Sequence, residues 1–194
     1  MSKSVGKIWV WLLLAVPFAA ISVQFATDAI SYGQVLHQSG YWSTGLLIAA
    51  LAVTPLRKQF SAVRWIAALV PYRRALGVAS FAYAALHTGV YLERKWGADL
   101  ILQEGLEAPL ATGWVAFAIF VVLAVTSNDA SVRALGRGWK RLHQTVYAAT
   151  LLVFAHWWLA AFEPGLFYVF APLFVATQLP RLMRLGKRNS GEAS

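Results

Sequence analysis

An all-α, polytopic membrane bundle is the fold class this sequence predicts, and three observations predict it. The first is composition. Of 194 residues, 59% are hydrophobic and only 13% charged, whereas a soluble domain is about half apolar and about a quarter charged. The second is distribution: mean hydropathy is +0.57, and the apolar residues fall in runs long enough to cross a bilayer, about 20 residues each. The third is the placement of charge. The net charge is +9, which in a soluble domain would suggest nucleic acid. Here the basic residues sit between the apolar runs, as membrane topology requires.

The runs give six predicted spans, at 8–27, 40–54, 74–93, 109–127, 143–161 and 165–183. Lys3 and Lys7 precede the first, which is longer than a signal-peptide core and is followed by further spans, so it reads as a retained helix. Pro55 is expected to end the short second span. The apolar stretch Ala62 to Val70 either extends that span after a break or lies at the interface. The six spans fill the chain as one domain, 1–194, without length for a soluble domain.

All but two of the 17 Lys and Arg residues fall on one side of this map. They are Lys3 and Lys7, then Arg57, Lys58, Arg64, Arg73 and Arg74, then Arg133, Arg137, Lys140 and Arg141, and Arg181, Arg184, Lys187 and Arg188 in the tail. Arg94 and Lys95 stand on the other side, beside Asp28, Glu93, Asp99, Glu104, Glu107 and Glu163. Positive charge stays inside, so both termini are expected in the cytoplasm. Trp42, Trp96, Trp114, Trp139, Trp157 and Trp158 lie near span ends, as interfacial anchors do, although tryptophan is simply abundant here.

Three histidines, His87, His143 and His156, lie in or at the end of predicted spans. An imidazole in hydrocarbon is costly and commonly marks a functional site, or else is a hydrogen-bonded structural residue. His143 and His156 are 13 residues apart, about 20 Å along a helix, a separation suited to two stacked metal cofactors. Cysteine is absent, which excludes disulfides, thiolate-held iron–sulfur clusters and covalent haem attachment. Neutral imidazole is an axial ligand for haem iron. His87 is 13 residues beyond Arg74, and His156 is 13 beyond His143. On two parallel spans this sets His87 level with His156, a pair able to clamp one haem.

The second level lacks a matching histidine. Arg73 or Arg74 occupies the depth of His143. A 14-residue step from Arg73 returns to within about 40° of the His87 face, and a 13-residue step misses by about 140°, which favours Arg73. The same arithmetic requires a bulge or bend between His143 and His156 if both are to face one site; otherwise His143 does not bind metal. Arginine stays protonated and is a poor iron ligand, but it pairs with a haem propionate. Both arginines also have a plain topological role at the start of span three. His37, placed in an outer loop beside Gln38 and Ser39, reads as a solvated loop residue.

Two blocks of sequence extend this reading. Tyr72-Arg73-Arg74-Ala75-Leu76-Gly77, running on through Phe81-Ala82-Tyr83-Ala84-Ala85-Leu86-His87, is the first. Leu123-Ala124-Val125-Thr126-Ser127, then Leu135-Gly136 and Trp139-Lys140-Arg141-Leu142-His143, is the second. Together they resemble the ferric-reductase-like transmembrane superfamily over nearly the whole chain. Within it they resemble the haem-binding membrane subunits of bacterial protein-methionine-sulfoxide reductase systems. Arg73 stands where the larger superfamily has a further histidine, a departure that leaves one haem or two.

The resemblance implies b-type haem and a multi-pass protein of the bacterial inner membrane. It implies electron flow from the quinone pool, or from a flavin or flavin reductase, to a periplasmic molybdopterin enzyme, MsrP, that reduces methionine sulfoxide in oxidised proteins. FMN is also attributed to such proteins, though no G-x-G-x-x-G loop is present. A flavin or quinone would then meet the basic loops near Arg133 to Arg141. The acidic stretch Glu93 to Glu107 would face the partner, where complementary charge speeds encounter. On this reading the chain is an electron-transfer subunit, with the substrate chemistry in its partner. Two rivals are a stand-alone reductase of ferric iron or another external acceptor, and a cofactor-free transporter or scaffold.

Overall fold

A computed structural model of the chain describes residues 3–95, 106–160 and 165–191, with side chains for 6, 8–95, 106–160 and 165–179. Every regular element among them is helical. They are α1 (Lys3–Ala26), α2 (Tyr32–Gln59), α3 (Arg64–Leu69), α4 (Arg73–Arg94), α5 (Ala108–Val125), α6 (Asp129–Leu135), α7 (Arg137–Gln144), α8 (Val146–Ala160) and α9 (Phe167–Gly191). A 3-10 turn, Val70–Tyr72, joins α3 to α4. Four stretches are long and apolar enough to cross a membrane: Ile8–Ala26, Tyr32–Gln59, the run Arg64–Arg94, and Ala108–Val125. The apolar part of α9, Phe167–Leu179, is shorter.

The bundle is built around α2. It packs most extensively on α4, with α9 also against it, while α5 pairs with α8 and α1 lies across α2 and α4. Burial follows this order: 61% of the most apolar window of α2 is buried, against 6% for α1. Helix α1 instead turns Ile8, Trp9, Leu12, Leu13 and Val16 outward. An apolar face of this kind is stable in lipid and not in water.

Helix α2 supports its central position with small and hydroxylic residues, which let backbones approach closely. Ser43 Oγ donates to the Ser80 carbonyl (3.0 Å) and Ser80 Oγ donates to the Ser43 carbonyl (2.8 Å), a reciprocal tie between α2 and α4. Phe170 of α9 packs over Gly45, 3.6 Å from where a Cβ would stand, an ordinary contact distance. Tyr83 is buried at the other seam: its hydroxyl donates to the Leu14 carbonyl (2.9 Å), and its ring meets Phe18 and Trp42.

Three sequence expectations change here. The second span begins at Tyr32, where Ser31 and Gln34 form a reciprocal capping box, so His37 is helical and not in a loop. The helix continues through Pro55 to Gln59; a proline is tolerated in a membrane helix where packed neighbours compensate for its missing N–H. The fifth span is not one helix. At Thr145 the amide bonds the Leu142 carbonyl, three residues back, and separates α7 from α8. This interruption falls between His143 and His156, and the two rings do not face one site: they line different cavities. Within the stretch 62–70, Arg64–Leu69 form α3, a separate short helix joined to α4 by the turn Val70–Tyr72. Much of the acidic stretch between Glu93 and Glu107, and Trp96 with it, lies outside the described residues.

Candidate functional site

His87 of α4 and His156 of α8 meet at one end of the bundle, with ring centroids 6.2 Å apart and planes at 87°. Each Nδ1 rests on a main-chain carbonyl: His87 on Leu36 O at 3.0 Å and His156 on Pro109 O at 2.7 Å. A carbonyl oxygen only accepts, so each Nδ1 carries a proton, and in the neutral form of a ring so tethered the lone pair is on Nε2. This is the tautomer in which imidazole ligates a metal, with its other nitrogen tethered. A metal–imidazole bond is about 2 Å, and the ring centre stands roughly 1 Å behind the nitrogen. Two rings on opposite sides of one metal are therefore about 6 Å apart, close to the spacing observed.

The neighbouring helices are shaped for these two rings. One turn of α2 carries Leu36, Ser39 and Gly40 against His87: Ser39 Oγ lies 3.4 Å from Nδ1, and a Cβ at Gly40 would stand 3.6 Å from it. On α5, Gly113 faces His156 so closely that a Cβ would fall 2.8 Å from Nδ1 and 3.0 Å from Cε1. Only glycine leaves that ring its place. Pro109 starts the same helix, and its carbonyl accepts from His156. The two rings line a cavity of about 320 Å³ with Leu110, Phe117, Val153 and Trp157. Among the described residues no three of His, Asp or Glu gather as a cage for a bare metal ion. Two axial imidazoles on an apolar cavity instead suit a planar macrocycle that brings its own equatorial ligands.

His143 is placed apart from this pair. Its ring stacks on Trp139 (3.9 Å, 23°), and its Nε2 lies 3.0 Å from Thr126 Oγ1. Thr126 has one hydroxyl proton, directed at the Val122 carbonyl at 2.7 Å. His143 Nε2 is therefore the donor, and the lone pair sits on Nδ1, the opposite tautomer from His87 and His156. The Thr126 carbonyl also accepts from Trp139 Nε1 at 2.8 Å, so one residue fixes both rings.

Those rings line a second, larger cavity, of about 1530 Å³, which also carries Lys58, Arg73, Arg74 and Lys140. Arg73 Nε donates to the Ala50 carbonyl of α2 at 3.1 Å. Arg73 and His87 thus both reach α2, as the 14-residue step required. Arg74 turns away to Asp129, at 2.6 Å in an exposed ion pair. Phe120 borders both cavities, and Phe81 of the larger one stacks on Phe117 of the smaller at 5.9 Å.

Sequence reasoning missed the α2 partners of His87, the Gly113 cradle, and His37, which lines the smaller cavity. The string His37-Gln38-Ser39-Gly40 carried the signal, since small and polar residues at helical spacing mark a face that meets another helix.

Comparison with known proteins agrees with this architecture. Residues 39–154 match the family described as ferric reductase like transmembrane component. Three relatives are each named protein-methionine-sulfoxide reductase heme-binding subunit MsrQ. The Ralstonia nicotianae protein is 38% identical over 161 residues, covering 78% of this chain and 71% of the relative. That of Xanthomonas campestris is 33% identical over 183 residues, 86% and 82% of the two chains. That of Bordetella pertussis is 35% identical over 165 residues, 81% and 78%. With the family match spanning more than half its length and these relatives most of it, the chain belongs to the ferric-reductase-like transmembrane family, among the MsrQ proteins.

Proposed function

We propose that this chain is a membrane b-type cytochrome, a single domain over 1–194, that grips haem between His87 and His156 and relays electrons across the bacterial inner membrane. One observation carries the reading: two imidazoles 6.2 Å apart, each held by a carbonyl in the Nε2-ligating tautomer. The heme-binding name of the relatives supports it. Bound haem supplies one-electron redox chemistry, and the protein supplies its position and electrostatics. Leu36 and Pro109 orient the ligands, Gly113 makes room for the His156 ring, and Phe117 and Val153 give an apolar surround.

The larger cavity is the proposed entry side. Arg73, Lys58 and Lys140, with Arg74 where it exchanges Asp129 for a ligand, offer cations to a haem propionate or to a flavin phosphate such as that of FMN. Its apolar walls suit a quinone. His143 is a candidate second ligand there, through the lone pair on Nδ1 or through Nε2 once that nitrogen leaves Thr126 and its proton shifts to Nδ1, which would make two haems. Phe81, Phe117 and Phe120 stand between the entry side and the His87–His156 pair. The proposed donor is the quinone pool or a flavin reductase. The proposed acceptor is a periplasmic molybdopterin enzyme, MsrP-like, that reduces methionine sulfoxide and docks on the acidic stretch Glu93 to Glu107. A second reading follows from the family description, a stand-alone ferric reductase.

Turnover separates the two. Protein reduced by a quinol or by reduced flavin is expected to reoxidise on adding the periplasmic reductase and methionine sulfoxide. Reoxidation by ferric chelates alone would favour the second reading.

A further inference from the structure

The smaller cavity has a chemical imbalance. Haem brings two propionate carboxylates, and a buried carboxylate requires a donor or a cation. Among its described lining residues there is no lysine or arginine, in contrast to the four cations of the larger cavity. Apart from the two proposed ligands, the one basic side chain among these described residues is His37, beside the neutral donors Tyr41, Thr88, Trp114 and Trp157.

His37 differs from the other three histidines in one respect. His87, His143 and His156 each have a ring nitrogen in a hydrogen bond. The ring of His37 packs on Tyr41 at 5.9 Å, and among the described residues its nitrogens have no hydrogen-bond partner. It is both exposed and part of the cavity wall, so it stands where the site opens to the outside. The turn of α2 that carries it is the turn that holds His87 through Leu36, Ser39 and Gly40. Helix α2 is therefore able to fix both the axial ligand and the edge of the same macrocycle.

We propose that His37 is a positioning residue that donates a hydrogen bond to a haem propionate, setting which porphyrin edge faces the outer opening and raising the reduction potential. This rests on the haem reading of the preceding section. The sign follows from charge: an unpaired carboxylate near the iron favours the ferric state, and a donor that neutralises it favours the ferrous state.

The test pairs His37→Leu with haem dimethyl ester, whose propionates are capped. Full-length protein made in haem-deficient cells is loaded in detergent with either haem. Haem loss to apomyoglobin, the midpoint potential and the optical spectrum are then read. With natural haem, His37→Leu is expected to keep the low-spin spectrum, lower the midpoint potential and speed haem loss about tenfold, equivalent to about 1.4 kcal/mol. With the ester, the wild-type chain already loses haem faster, and His37→Leu adds nothing. His37→Gln, which keeps a donor, restores part of the retention. Additive effects of variant and ester, or an unchanged potential in His37→Leu, would overturn the proposal and leave the ligand pair standing. A wild-type chain that takes up neither haem would overturn both.

Discussion

Gly113 is the residue on which the geometry of His156 depends most directly. A methyl group there would sit 2.8 Å from Nδ1, inside any normal contact distance, and the ring must move to admit it. Gly113→Ala is therefore expected to stretch the bond to Pro109 O, at a cost of about 1–3 kcal/mol for overpacking. The readout is spectroscopic: a chain that still folds but whose haem shows partial high-spin character and weaker retention. An unaltered low-spin spectrum would mean that the ring has no need of this cradle. The same scale explains what was legible in advance. His87 and His156 were paired by counting residues from Arg74 and His143 along two parallel helices, which needs only the regular rise of a helix. Leu36 O and Pro109 O carry no sequence signal, because any residue offers a carbonyl. His37 was misassigned because Tyr32, Gln34, His37, Gln38 and Ser39 look too polar for a span.

That misassignment has its cause at the scale of the element. A hydropathy reading assumes that a span faces lipid. Helix α2 faces protein, so it buries Ser39, Ser43 and Thr44, bonds the hydroxyls of Ser39 and Ser43 to carbonyls, and needs fewer large apolar residues. Its hydropathy is 1.2, against 2.0 for the outward-facing α1. The helices Lys3–Ala26, Arg73–Arg94 and Ala108–Val125 lie close to their expected spans, α9 runs on to Gly191, the fifth expected span is divided between α7 and α8, and the central one was cut short at both ends. The break at Thr145 was not legible, since its cause is a change in hydrogen bonding and not a proline or glycine.

The reciprocal Ser43–Ser80 tie is the testable feature of this central seam. Ser43→Ala or Ser80→Ala leaves a carbonyl without its side-chain donor and is expected to cost about 1 kcal/mol, read as a lowered melting temperature in detergent. The double variant should lose less than the sum of the two. Full additivity would mean that the two bonds act independently. Gly136 forms a second such point. It turns the chain between α6 and α7 at φ 49 and ψ −122, a conformation that a Cβ disfavours. Gly136→Ala is expected to cost about 1–3 kcal/mol and to shift Trp139 and His143, seen as a fall in melting temperature and altered tryptophan fluorescence.

For the whole molecule, the arrangement separates two chemistries. A cavity with four basic side chains and His143 lies toward the basic loops; an apolar one with the His87–His156 pair lies toward the other end. If the basic loops face the cytoplasm, both termini do as well. Alkaline phosphatase fused after residue 194 is then expected to be inactive, and inserted near residue 100 to be active in the periplasm. The reverse pattern would invert the direction of electron flow proposed here.

The central claim is that His87 and His156 together hold haem, and haem content per chain, measured as pyridine haemochromogen, tests it most directly. The purified protein is expected to be red, with a Soret band that sharpens and shifts on dithionite reduction. His87→Ala and His156→Ala should each lose most of the haem, while His143→Ala loses a part or only disturbs the spectrum. Full haem content in both of the first two variants, or a colourless wild-type chain made with ample haem, would contradict the account.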